Sequence, residues 1–111
     1  MRKFLLLTAI LASFAAAAAG ETFNDAPVID VACARNSASN PDAHSRECAL
    51  ECQKSGFGIV TSDHKFLKFD SQGNTLVLEA LKKSKKDYHL RVDVSGDIQG
   101  DTLKVTSLKL L

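Results

Sequence analysis

The chain has 111 residues, and its charge is nearly balanced, with 14 Lys and Arg against 13 Asp and Glu. Setting Arg2 and Lys3 aside turns the remainder slightly acidic, which argues against a nucleic-acid partner, since such proteins want a basic face. A chain of this length supports one small domain with a modest core, and such domains often need a covalent or metal staple.

The opening reads MRKFLLLTAILASFAAAAAG. Arg2 and Lys3 precede an apolar run, and Ala17-Ala18-Ala19 offers a small-residue cleavage site. This is the pattern of a secretory signal peptide. Residues 1–19 are therefore expected to be cleaved, leaving residues 20–111 as a single exported domain, periplasmic or secreted. The run tapers into alanines and falls short of the ~20 predominantly apolar residues of a spanning helix. No stable membrane anchor is expected after cleavage.

Residues 28–32, VIDVA, read as a first strand, and 35–43, RNSASNPDA, as a polar loop. Asn40-Pro41-Asp42 is a helix start: Asn caps, Pro takes the first helical position and Asp suits the positive end of the dipole. That helix is expected to reach Lys54, with Gly56 ending it. Residues 57–61 and 65–69 are short strands around a tight Ser62-Asp63-His64 turn. A loop is expected over 70–74. Residues 75–83, TLVLEALKK, could place Leu76, Val77, Ala80 and Leu81 on one helical face, with a strand as the competing reading. Residues 88–95 alternate, with Tyr88, Leu90, Val92 and Val94 on one side, as in a half-buried antiparallel strand. Gly96-Asp97 and Gly100-Asp101 bracket a turn. A last strand covers 103–110, with a phase slip between Val105 and Leu108 that suggests a bulge. The fold class is thus mainly β with two short helices (α+β). The order fits a five-stranded OB-like barrel with a cysteine-bearing helix inserted after the first strand; an open meander fits the same string.

The stretch HSRECALEC carries His44, Cys48 and Cys52, and Cys33 precedes it. On a helix, residues four apart rise ~6 Å, so His44/Cys48 and Cys48/Cys52 are neighbouring pairs able to share an ion. His44 and Cys52 lie ~12 Å apart along a straight helix. A site made of Cys33, His44, Cys48 and Cys52 therefore needs Cys33 to fold back and His44 to leave the helix. Such thiol-rich ligands suit zinc or copper. The competing reading, and the preferred one, is a disulfide from Cys33 to Cys48 or Cys52, closing a loop worth ~3 kcal/mol in the entropic account and leaving one thiol over. A thiol-redox role is a weaker variant of the metal reading. A third reading is three packed, inert thiols.

The run Cys33…His44-x-x-x-Cys48-x-x-x-Cys52…Gly56, with Lys65-Phe66, Gly73-Asn74, Val92-Asp-Val94-x-Gly96 and Gly100-Asp101-x-Leu103-x-Val105, resembles a group of small exported bacterial proteins. The resemblance covers most of the chain after the leader. It implies an exported protein with an OB-like β-domain and a Cys/His/Cys/Cys cluster acting as a unit, and it implies no activity.

Other candidates are plainer. Residues 54–60, KSGFGIV, faintly match an RNA-recognition signature, but a helix end followed by a strand explains them. The Lys82-Lys83-Ser84-Lys85-Lys86 run could meet an anionic surface; a solvated helix end is the expected role. His64 and His89 stand alone. No serine triad or paired-carboxylate motif supports catalysis, so no catalytic residue is assigned and the chain is not read as an enzyme. The sequence suggests a monomeric, disulfide-stapled module that binds a protein or cell-envelope ligand, with metal binding as the alternative.

Overall fold

The computed structural model describes residues 20–111; the expected leader, 1–19, lies outside the described residues. The elements in chain order are β1 (Glu21–Asp30), α1 (Val31–Ser37), a 3-10 turn (Pro41–Ala43), α2 (Arg46–Glu51), a second 3-10 turn (Gln53–Ser55), β2 (Phe57–Val60), β3 (Phe66–Phe69), α3 (Ser71–Lys83), β4 (Arg91–Gln99) and β5 (Thr102–Leu110). The strands close a barrel in the order β1-β2-β3-β5-β4. Only the β3–β5 pairing is parallel. A five-stranded barrel with a helix between its third and fourth strands is the OB-like arrangement expected from the element order.

Period-two alternation builds the interior. Val92 and Val94 of β4 and Leu103 and Val105 of β5 are buried, as are Val28, Ile59 and Phe69 from the other strands. α3 covers one end of this core with Gly73, Val77 and Leu81. Burying Val77 and Leu81 stabilises the fold by roughly 1.5–3 kcal/mol each. Gly73 is needed for the close approach, because a Cβ there would stand 2.5 Å from Val105 Cγ2. Asp70 fixes the helix start: its Oδ1 accepts from Gly73 N at 3.0 Å and from Val105 N at 3.1 Å.

Several boundaries differ from the sequence reading. β1 stops at Asp30, because Asp30 caps a helix that takes Val31 and Ala32 out of the strand. That helix and the 3-10 turn replace most of the expected polar loop. The single helix expected from Pro41 to Lys54 is broken: His44 is extended, and Ser45 caps a fresh helix through its side chain on Cys48 N. Gly56 does end the helical stretch, at φ +83°. The described residues thus hold three α-helices where two were expected. The expected loop at 70–74 is the first turn of α3, begun by the Asp70 cap. Tyr88 is outside β4 and 59% exposed, because the strand begins only at Arg91. β4 runs straight through Gly96-Asp97, and the turn is at Gly100-Asp101 alone. The phase slip in β5 is a bulge: Ser95 faces Ser107, whereas Gly96 faces Val105. No helix among the described residues is long and apolar enough to cross a membrane.

Candidate metal centre

The insertion between β1 and β2 has almost no core of its own. Within 31–56 only His44, Ala49 and Gly56 are buried. Polar contacts therefore hold it. Val31 N donates to Gly56 O at 2.8 Å, closing the insertion at its base. Ala32 N donates to Ser55 Oγ at 3.0 Å, and that hydroxyl donates to Cys52 O at 2.8 Å. The start of α1 is thereby tied to the end of α2, which carries Cys33 and Cys52 to one place.

Asp30 is the hub. It is fully buried, and its two oxygens have separate tasks. Oδ2 accepts from Cys33 N at 3.0 Å, the N-cap bond of α1. Oδ1 lies 2.5 Å from His44 Nε2. His44 is itself 8% exposed, and its Nδ1 is 3.4 Å from Ser37 Oγ. The extended backbone at His44 is what turns the imidazole inward. One oxygen of Asp30, Cys33 Sγ and Cys52 Sγ all lie within 4.8 Å of one another.

These contacts sort the sequence candidates. Cys33 and Cys52 come together, with Asp30 as the third member. His44 joins through Asp30. Cys48 is exposed on α2, outside the group. All three cysteines are free thiols in this structure. The thiol of Cys33 is pushed up to about 11, first by burial, then by its hydrogen bond to Asp30 and the negative charge of that carboxylate, with Cys52 adding to the effect. Asp30 escaped the sequence reading because VIDVA looks like a plain strand. The available signal was a lone acid in an apolar run, three residues before a cysteine, which is the spacing of an N-cap.

A separate cleft of about 570 Å³ opens between the start of β1, segment 38–42 and the β2–β3 turn. At its edge Arg91 makes a bidentate pair with Asp42, at 2.9 and 2.7 Å. The guanidinium holds the Asp42 carboxyl below its usual range, mainly by these hydrogen bonds. Asp25 and His64, both non-glycine residues at positive φ, also line the cleft. None of Asp30, Cys33, His44 or Cys52 does.

The chain matches no family profile, no curated protein and no solved structure.

Proposed function

We propose that the protein is an exported cation-binding module, in which Cys33, Cys52 and Asp30 bind a thiophilic ion such as zinc or copper(I) and His44 holds the carboxylate in place. The observation that carries this reading is the meeting of two sulfurs and a buried carboxylate oxygen within 4.8 Å. Zinc bonds of about 2.3 Å to sulfur and 2.0–2.2 Å to oxygen give tetrahedral edges of about 3.5–3.8 Å between donors. The three donors are thus within a small adjustment of one coordination sphere. Two thiolates favour zinc or copper(I) over hard ions. Burial first, and then the hydrogen bond and charge of Asp30, keep the proton on Cys33, with Cys52 adding to the effect; a cation would offset the charge that two thiolates and a carboxylate bring together. The barrel around the centre would present the module to a protein or cell-envelope ligand.

A second reading rests on the same neighbours. In an oxidising compartment, the Cys33 and Cys52 sulfurs need only close the remaining gap to form a staple, which favours Cys52 over Cys48 as the partner. Intact native mass of the protein, purified without added metal or reductant, separates the two readings. A mass raised by one ion, with all three thiols alkylatable once the ion is removed, supports the metal centre. A mass two hydrogens light, with one alkylatable thiol, refutes it in favour of the staple.

A further inference from the structure

We propose that segment 82–88 docks the protein on an anionic phospholipid surface. The helix dipole accounts for only part of the lysine run. Lys82 and Lys83 sit in the last turn of α3, where cations oppose the negative end of the dipole. Lys85 and Lys86 lie past the helix, which Ser84 ends, so the dipole gives no reason for them. All four lysines are exposed, and none forms an ion pair among the described residues.

The segment is fixed in place. Lys86 N donates to Ser84 Oγ at 3.1 Å. Arg46 N donates to Asp87 O at 2.7 Å, and His89 N donates to Asp42 O at 3.2 Å. Between these anchors Tyr88 stands 59% exposed, more than any other large hydrophobic side chain in the described residues. Acids border the segment on one flank: Asp87 faces Arg46 at 3.8 Å, and Glu47 and Glu51 of α2 line a shallow pocket with Arg46 and Asp87 that none of the four lysines lines; Glu79 lies one turn before Lys82 and Lys83 on α3 and is exposed.

Four lysines in five positions match the basic clusters that bind acidic lipid surfaces. A tyrosine with an apolar body and a polar tip suits the headgroup level of such a surface. A nucleic acid would ask for a longer basic stripe and more stacking aromatics, which this near-neutral chain lacks. The contact is peripheral and electrostatic, and no helix is inserted.

The test is co-sedimentation of the purified protein with phosphatidylcholine vesicles, with and without phosphatidylglycerol. Binding is expected only with phosphatidylglycerol and should fade as salt screens the charges. Lys85→Gln/Lys86→Gln, outside every helix and strand, should weaken it about 25-fold, near fivefold per lysine, with an unchanged circular dichroism spectrum. Tyr88→Ser should weaken it further. Equal binding to both vesicle types, or a double variant that binds like the parent, overturns the proposal. Tighter binding to a single-stranded oligonucleotide than to the vesicles also overturns it.

Discussion

Replacing Asp30 tests whether the insertion is held by its buried hub. Asp30→Ala removes the α1 cap, a loss of about 1 kcal/mol. It also strips His44 of the partner at 2.5 Å, leaving a buried ring N–H unsatisfied at about 1–3 kcal/mol. The combined loss is about 2–4 kcal/mol, a large share of the 5–15 kcal/mol typical of a domain and equivalent to about 10–25 °C in Tm. Asp30→Asn should fare better. Its single carbonyl oxygen can keep the bond from Cys33 N, and its amide can donate to His44 Nε2 if the imidazole changes tautomer, which Ser37 Oγ beside Nδ1 allows. A loss near 1 kcal/mol is expected there. Urea unfolding of the metal-free, reduced proteins measures all three, with the expected order parent, Asn, Ala. An Ala variant as stable as the parent would show that the Asp30–His44 contact does not hold the insertion.

Other consequences follow from the same geometry. Cys33→Ser should abolish tight zinc uptake, whereas Cys48→Ser should leave it unchanged, and Cys48 should be the first thiol alkylated in the metal-free protein; competition with a chromophoric chelator and peptide mass mapping read these outcomes. Because the Cys33 thiol sits at about 11, zinc must displace its proton at neutral pH, and affinity should fall at least tenfold for each pH unit lowered; chelator competition across pH 6 to 8 that shows no such slope would exclude Cys33 as a ligand. The same raised value implies that metal-free stability contributed by the neutral thiol is intact below 9.0 and is lost as pH rises from there toward 11. Asp42 has the opposite sign: its carboxyl is lowered from 3.8 by Arg91, so its contribution is present above that value and is lost as pH falls below it. Asp42→Asn should flatten the acid limb of the stability curve, as read by thermal melts.

The barrel was legible because its strands are written in alternation. Val92, Val94, Leu103 and Val105 need only a period of two to be placed inside, and the β5 bulge announces itself as a slip in that period. The insertion was less legible because its local signals compete. Asn40-Pro41-Asp42 is a sound helix start, but only a short 3-10 turn follows it, since Ser45 is a better-placed cap and His44 must stay extended to reach Asp30. Tyr88 continues the alternation of β4, but His89 at φ +55° breaks the strand before it. The cysteines were visible and their grouping was not. Cys48 and Cys52 look equivalent on a helical repeat, and what brings Cys52 toward Cys33 is non-local: Ser55 bridges Cys52 O and Ala32 N, beside the Val31–Gly56 bond.

The poverty of the insertion's core makes its shape rest on a few polar contacts. A segment with three buried residues cannot hold its shape by hydrophobic contact, and such regions open with much less free energy than the barrel they sit on. Its position depends on the base pair at Val31 and Gly56, the Asp30 hub and the Arg91–Asp42 clamp. The same insertion supplies segment 38–42, one wall of the cleft, and Asp42 and His44 are separated by a single residue. The cleft wall is thus held by Arg91 of β4 through Asp42, while the barrel beneath is closed by its own strand pairings.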